Sequence, residues 1–447
     1  MSTLFHELKQ PLAESDLKTY DDTLKNLQGN ILKSHGRGAA VHLFLTFHQD
    51  EQSQVSVRDF LRKFADELTS AAKQREQAET YKDTHQPGAT FVSLCLSAEG
   101  YRYLELDLTN FSPEFQKGMK GANLGDPSPE EWEPKFQRPI HAMLIFADDR
   151  VEVLTKLLSQ RRDELDGFAD VGVEFGITLR NANDNAIEHF GYADGVSQPI
   201  FFKSDLKQTT GKWDPSAGPN LVLVKDPLVN SETACGTYFV FRKLEQNVRA
   251  FKAQERALAN ALELTEEDEE RAGAMVVGRF ENGTPIESHE AAVVPEEPKK
   301  GFTPENDFNY EEDPQGNKCP LFAHIRITNP RIDSEEERGH RIARRGITYG
   351  DPTPPGEDLD ALPEGGVGLL FQCCQADLAR QFEYLQKLAN NSVPTRGPDP
   401  VIGQPTLEFP AKWNKPERGR FGFHGFVTMK GGEYFFVPSI SFFKNLK

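Results

Sequence analysis

Three short stretches of this chain carry residue types that acid–base and metal chemistry need. The first, GYADGVSQP at 191–199, sets the carboxylate of Asp194 between two glycines. Gly191 and Gly195 predict a tight turn with backbone angles that other residues avoid. The aspartate of such a turn can hydrogen-bond its own backbone. Alternatively, the turn can hold the carboxylate rigidly towards a pocket as an acid–base group.

The second stretch, CPLFAHIRITNPRID at 319–333, places a histidine among apolar residues. His324 is either a buried imidazole satisfied by a hydrogen bond or the single axial ligand of a haem iron. Because no second histidine lies three or four residues away, a zinc site is not indicated. On an extended backbone, Arg326 projects to the same side as His324 and can pair with a haem propionate. Arg331 could pair with a propionate in the same way. For both arginines the alternative is an ordinary ion pair at a surface or interface.

The third stretch, RIARRGITYG at 341–350, contains Arg341, Arg344 and Arg345. A basic run is usually a solvated face. Here the apolar residues and glycine that follow predict entry into a strand or a tight turn, which directs at least one arginine inward. A buried arginine needs a negative partner. Asp194 or a bound oxygen species can provide that charge.

The elements that must position these residues repeat a strand–helix pattern. In the first half, strands are predicted at 41–48, 91–97, 141–148 and 171–180, with helices at 55–77 and 150–165. In the second half, strands are predicted at 237–246, 368–375 and 432–438, with helices after the first strand and at 376–391. This order predicts an α+β fold of two ferredoxin-like halves, with antiparallel sheets and helices, divided at residues 1–220 and 221–447.

Composition limits the partners of this chain. Its 447 residues include 51 Lys and Arg against 69 Asp and Glu, a net charge of −18. That balance argues against nucleic acid and anionic membranes as main partners, since both attract basic proteins. The five cysteines form no CxxC pair, and neither a signal peptide nor a membrane span is evident. We therefore expect reduced thiols and a cytoplasmic location.

Taken together and in order, these stretches resemble the signature blocks of the dye-decolourising peroxidase family. Two further stretches, LQGNILKSHGRG at 27–38 and GGEYFFVPSISFF at 431–443, resemble the terminal blocks of its larger members. The resemblance spans almost the whole chain. It implies two ferredoxin-like halves with a haem b pocket mainly in the C-terminal half. It also implies reduction of hydrogen peroxide coupled to one-electron oxidation of dyes, phenolics and other aromatic donors, and a homodimer is possible.

The resemblance also implies roles for individual residues. His324 corresponds to the proximal haem ligand and Asp194 to the distal acid–base carboxylate. Arg344 corresponds to the distal arginine, with Arg341 and Arg345 as neighbouring alternatives in the same loop. A carboxylate from the later strand–helix segment supports the proximal histidine, for which Asp377 is the first candidate and Glu383 the second. At its position Asp377 also fits a plain helix cap.

Other interpretations remain open at the level of sequence. A haem carrier on the same scaffold would release haem easily and turn over poorly. A structural protein whose motifs only pack would bind no haem. Large dyes do not fit a buried pocket, so Trp413, Tyr349 or Tyr434 is a candidate to carry oxidising equivalents to the surface, with plain packing as the alternative for each.

Overall fold

A ten-stranded sheet organises the chain. The computed structural model describes residues 3–206, 211–265, 268–295, 304–353, 358–390, 397–404, 421–423 and 425–447. The strands are β1 (Ala39–Phe47), β2 (Phe91–Ser97), β3 (Ala142–Asp148), β4 (Ala169–Ile177), β5 (Leu179–Arg180), β6 (Ala186–Ile187), β7 (Val224–Lys225), β8 (Cys235–Gln246), β9 (Ala343–Arg344), β10 (Ile347–Tyr349), β11 (Gly368–Gln375) and β12 (Val427–Val437).

Helices connect and cover these strands. The α-helices are α1 (Glu14–Thr19), α2 (Asp21–Asn26), α3 (Glu51–Phe64), α4 (Ala71–Thr84), α5 (Ala98–Tyr103), α6 (Pro113–Lys117), α7 (Pro134–Gln137), α8 (Val151–Leu165), α9 (Val248–Ala261), α10 (Glu270–Val277), α11 (His324–Thr328), α12 (Glu335–Gly339), α13 (Phe382–Asn390) and α14 (Ile440–Lys444). Short 3-10 helices lie at Phe5–Glu7, Met119–Gly121, Pro129–Glu131, Lys203–Asp205, Pro219–Leu221 and Leu359–Ala361.

The strand order shows two similar halves. The main path runs β10-β11-β8-β12-β2-β3-β1-β4, with every pairing antiparallel. Strands β1 to β4 have the ferredoxin-like order, and β8, β10, β11 and β12 repeat it. The halves join where β12 pairs with β2. The two outer strands of this path, β10 and β4, also meet. Thr348 in β10 donates a side-chain hydrogen bond to the carbonyl of Ile177 in β4. The α+β prediction is confirmed.

Apolar runs explain the central strands. Every residue of β2 and β3 is buried, as is nearly all of β1, which is the pattern of strands covered on both faces. The amphipathic helix α3 buries Val57, Phe60 and Phe64 along one side. Its N-terminus is capped by Asp50, whose side chain accepts a hydrogen bond from the Ser53 amide. The first-half helices therefore cover a sheet that the sequence had already marked as buried.

Two predicted helices have different bounds in the structure. The helix expected at 55–77 is two helices, α3 and α4, because the chain between them pairs elsewhere. There the Thr69 amide donates to the carbonyl of Val92, and Ser70 caps α4. The helix expected at 376–391 begins only at Phe382. A turn precedes it, in which Asp377 accepts a hydrogen bond from the Arg380 amide.

Candidate active site

A cavity brings the three chemically interesting stretches together. The loop at 188–199, helices α11 and α13 and the chain around β9 all contribute to its wall. Most of the lining residues come from the second half of the chain. Apolar side chains form much of the surface, among them Ile325, Ile342, Leu369, Phe371, Leu385 and Val427. A concave, mostly apolar site with a few polar groups is the form that small-molecule and cofactor sites take.

The loop that carries Asp194 is held by its backbone. Gly191 and Gly195 have φ values of 102° and 78°, so both need the freedom of glycine. The Asp194 amide donates to the carbonyl of Ala186 at 2.9 Å. The carboxylate of Glu188 accepts hydrogen bonds from two amides at the start of the loop, and burial raises the pKa of Glu188 to about 7. The turn is therefore fixed before its aspartate makes any contact.

The Asp194 carboxylate divides its two oxygens between different tasks. Its Oδ1 accepts hydrogen bonds from the Gly195 amide at 2.6 Å and from Nη1 of Arg344 at 2.8 Å. Among the described residues, Oδ2 has no hydrogen-bond partner. The side chain is 29% exposed and lines the cavity. The aspartate thus caps its own turn and also offers one unused oxygen to a ligand.

Of the three arginines at 341–345, Arg344 is the one that meets Asp194. It lies on β9, where its amide donates to the side chain of Gln198 at 3.1 Å. Its guanidinium lines the cavity. Arg341 also lines the cavity but donates to the carbonyls of Arg338 and Ser216, and burial lowers the pKa of Arg341 to about 10.

His324 opens helix α11 and is oriented by a carboxylate. Its Nδ1 donates to Oδ2 of Asp399 over 2.8 Å, and Asp399 is completely buried. The imidazole lines the cavity and its side chain is 24% exposed. Because Nδ1 holds its proton for the carboxylate, Nε2 carries a free lone pair. That arrangement orients an imidazole as a metal ligand and raises its basicity.

The carboxylate that supports His324 is Asp399, so the expectation of Asp377 or Glu383 in this role is wrong. Asp377 caps the turn before α13 instead of reaching the imidazole. Glu383 accepts from the Tyr434 hydroxyl and from Lys387. Asp399 was missed because it belongs to no predicted element and lies between two prolines. One sequence feature could have indicated it: Asp399 comes just before the apolar residues 401 and 402, and its Oδ1 accepts hydrogen bonds from their amides.

Arg326 does not reach the cavity in the way that the extended backbone predicted. Residues 324–328 are helical, and positions two apart on a helix point about 200° from each other. Arg326 instead pairs with the buried carboxylate of Asp313 at 3.0 Å and lies over the ring of Tyr310. It supports the helix from behind, while His324 faces the cavity.

Two other arginines provide positive charge on the cavity wall. Arg279 and Arg331 are both buried, and both donate to the side chain of Asn306. Neither forms an ion pair with a carboxylate in the part of the chain that the structure describes. Burial, and then the neighbouring charge of Arg331, lowers the pKa of Arg279 to about 9. Two buried cations without an anion favour the binding of a negatively charged group.

These features fit a haem. The apolar walls suit the faces of a porphyrin, His324 offers a carboxylate-oriented Nε2 for the iron, and Arg279 and Arg331 suit its propionates. Asp194 and Arg344 supply a carboxylate and a cation in the same cavity. Within the described residues, no cluster of three metal-ligating side chains exists that would hold an ion directly.

The tyrosines considered as electron relays are buried. Tyr349 is 6% exposed, and the ammonium of Lys243 lies 4.6 Å from the centre of its ring. Tyr434 is fully buried and donates to Glu383. Neither ring is open to a bulky molecule at the surface. Trp413 lies outside the described residues.

Comparisons with known proteins agree on a family. Residues 26–170 match the family described as DyP dimeric alpha+beta barrel domain, and residues 215–395 match Dyp-type peroxidase, C-terminal. The chain is 41% identical to the multifunctional dye peroxidase DyP2 of an Amycolatopsis species, covering 95% of this chain and 96% of that protein.

Solved structures lead to the same family. A DyP-type peroxidase from Anabaena has a TM-score of 0.88 at 40% identity, covering 98% of this chain and 97% of its own. The structure of the Amycolatopsis protein has a TM-score of 0.89 at 39% identity, covering 98% and 99%. None of the described helices is both long and apolar enough to cross a bilayer.

Proposed function

We propose a site-level mechanism for this chain, which belongs to the dye-decolourising peroxidase family and is a haem peroxidase that oxidises dyes with hydrogen peroxide. The observation that carries the mechanism is a single cavity with His324 backed by Asp399 and with Asp194 paired to Arg344. We assign the cofactor as haem b and the donors as dyes, phenolics and other aromatic molecules, oxidised in one-electron steps.

His324 is the residue that we assign to the iron. Asp399 holds the Nδ1 proton, so that Nε2 is the donor atom. Arg279 and Arg331 are assigned to the propionates, because they are buried cations without a carboxylate partner among the described residues. Bound in this way, haem supplies the iron on which peroxide is reduced and from which oxidising equivalents pass to the donor.

Asp194 is the acid–base group of the proposed reaction. Its Oδ1 is occupied by the Gly195 amide and Arg344, so Oδ2 is the atom free to take a proton. We assign to Oδ2 the transfer of one proton from one oxygen of hydrogen peroxide to the other, so that the second oxygen can leave as water when the O–O bond breaks. The two electrons for this cleavage would come from the bound haem. The hydrogen bonds of Oδ1 and of the Asp194 amide hold the carboxylate in place during the transfer.

Arg344 supports that transfer by electrostatics. Its Nη1 is used by Asp194, while Nε and Nη2 have no partner among the described residues. These two donors can stabilise negative charge that develops on peroxide.

The test is oxidation of an anthraquinone dye and of a simple phenol by the haem-loaded protein and hydrogen peroxide. Catalytic turnover of both donors, lost in Asp194→Asn while the haem content is unchanged, is the expected result. Turnover that survives in Asp194→Asn would assign the proton transfer to another group.

The haem-carrier interpretation is tested by the same preparation. A carrier would pass its haem rapidly to apomyoglobin, and peroxide would destroy its haem without oxidising a donor. The proposed peroxidase keeps its haem under these conditions. A preparation that binds no haem at all would leave the motifs with a packing role only.

Three broader assignments accompany this function. We propose a cytoplasmic enzyme, in keeping with five free cysteines that are all buried. We propose a homodimer, since the matched N-terminal family is described as dimeric. We also propose that the functional halves are residues 1–220, which carry Asp194, and residues 221–447, which carry His324.

A further inference from the structure

Arg345, next to the proposed catalytic arginine, has an entirely different environment. Arg344 faces the cavity, whereas Arg345, the residue directly after β9, does not line the cavity and is 8% exposed. Burial lowers the pKa of Arg345. Among the described residues, no carboxylate pairs with this buried cation.

Three backbone carbonyls surround the guanidinium of Arg345. Its Nε donates to Asn30 at 2.6 Å and its Nη2 donates to Ile31 at 2.5 Å. Its Nη1 donates to the carbonyl of Arg344 at 2.6 Å. The guanidinium of Arg345 therefore links the backbone of Arg344 to the Asn30–Ile31 segment, more than 300 positions away in the chain.

The N-terminal segment that receives these bonds is itself rigid. Asn30 has a left-handed backbone, with φ of 64°. Its amide donates to Oε1 of Gln74 at 2.6 Å, and the amide of that glutamine donates to the carbonyls of Lys33 and Ser34. Gly29 donates from its amide to the carbonyl of Thr69. The carbonyls that Arg345 contacts are thus fixed by α4 and by the chain before it.

We propose that Arg345 is a positioning residue for the peroxide reaction. It ties the carbonyl of Arg344 to Asn30 and Ile31, while Gln198 holds the amide of Arg344 from the loop of Asp194. The backbone of Arg344 is fixed at both ends, so its guanidinium meets Asp194 in one geometry. This inference rests on the role proposed above for Arg344.

The choice of side chain supports positioning. A buried cation without a carboxylate partner is costly, and an apolar side chain would fill such a site more cheaply. The guanidinium donates to these three carbonyls from three different nitrogens in one plane, whereas a lysine ammonium donates from a single nitrogen and cannot reproduce that geometry. An arginine at this position is therefore explained by its ability to orient the three carbonyls.

The test uses the haem-loaded protein and fluoride as the probe. Fluoride accepts hydrogen bonds from donors beside the iron, so its affinity reports the position of Arg344. Arg345→Lys is expected to weaken fluoride binding about tenfold at unchanged haem content. In an Arg344→Leu background the same change is expected to have no further effect, because Arg345 acts through Arg344.

Arg161 provides the matched control. It is a largely buried arginine in α8 that bonds Glu67 and Glu164 and lies over the ring of Phe64. Arg161→Lys is expected to lower the melting temperature without changing fluoride affinity. A stability loss in Arg345→Lys with unchanged fluoride affinity, or an equal fluoride effect in the Arg344→Leu background, overturns the proposal.

A second variant approaches the contact from its other side. Gln74→Ala loosens the Asn30 segment without touching either arginine, and a fluoride affinity about two- to threefold weaker is expected. Unchanged fluoride affinity in a destabilised Gln74→Ala protein overturns the proposal even where Arg345→Lys does not fold. If Arg344→Leu itself leaves fluoride affinity and the peroxide rate unchanged, the role of Arg344 falls, and this inference falls with it.

Discussion

Asp194 lines the cavity and Asp399 is buried behind His324, and the two carboxylates have opposite uses. Asp399 is completely buried, and both of its oxygens are occupied, by His324 and by two loop amides. Asp194 is 29% exposed, pairs with Arg344 and keeps one oxygen free among the described residues. A carboxylate with no free oxygen can only orient its partner, whereas one with a free oxygen can exchange a proton. The environment, not the residue type, separates the two roles.

The histidines show the same contrast. His324 has one nitrogen held by Asp399 and the other turned to the cavity. His141 lies directly before β3 in the first half, where its Nδ1 accepts a hydrogen bond from the Phe47 amide and its ring stacks on Phe47. One imidazole is oriented for a ligand and the other completes a core.

The largest effect is expected at His324. In His324→Ala the iron loses the only axial donor assigned to it, so the haem absorption bands of ligated iron should disappear or change completely. A haem titration followed by absorption measures this. His289→Ala removes a partly exposed histidine that pairs with Glu305 and should leave the spectrum unchanged. A normal spectrum in His324→Ala would move the ligand elsewhere.

The next effect is expected from Asp194→Asn. The amide keeps the shape of the turn but cannot accept the proton, so the reaction with peroxide should slow by about 10²- to 10⁴-fold at unchanged haem content. Stopped-flow absorption measures the rate. Asp107→Asn is the control, because Asp107 accepts from the amide of Thr109 in its own turn and has no place in the cavity. Equal rates in the two variants contradict the assignment.

Asp399→Asn should act on haem affinity before it acts on the reaction. An asparagine amide donates to Nδ1 and drives the imidazole proton to Nε2, which removes the lone pair from the cavity side. Haem affinity is expected to fall about 10- to 100-fold. Competition with apomyoglobin measures the loss. A variant that binds haem normally but loses peroxide reactivity would reverse the roles assigned to the two aspartates.

The smallest effect on the reaction is expected from a change outside the cavity, which acts on stability at low pH. Burial lowers the pKa of His141 from 6.5 to about 4. Between these pH values the histidine of the unfolded chain binds a proton and that of the folded protein does not. Stability from this group is therefore complete above pH 6.5 and is lost as pH falls towards 4, by up to about 3 kcal/mol.

His141→Asn is the variant for this test. Its side-chain oxygen can still accept from the Phe47 amide but does not titrate. Urea unfolding at several pH values should show a shallower loss of stability in acid than in the parent protein. An unchanged slope would assign the acid sensitivity to other groups, such as His42, whose pKa burial lowers to about 4.

The class of the fold and the chemically active stretches follow from local patterns in the sequence. Apolar runs of strand length and amphipathic helices depend on neighbouring residues, so β2, β11 and α8 lie almost where their patterns predict them. The turn of Asp194 could be predicted because glycines such as Gly191 and Gly195 are typical of positions with positive φ. His324 was readable as one histidine in an apolar stretch.

Which side chains meet depends on the folded chain and not on any local pattern. Asp399 reaches His324 from 75 positions away, and Arg344 reaches Asp194 from 150. Arg326 turned away because residues 324–328 form a helix, which the apolar pattern of five residues does not reveal. Contacts between distant segments depend on how the two ferredoxin-like halves join through β12 and β2. That junction is set by packing over the whole sheet, which no local stretch of the chain contains.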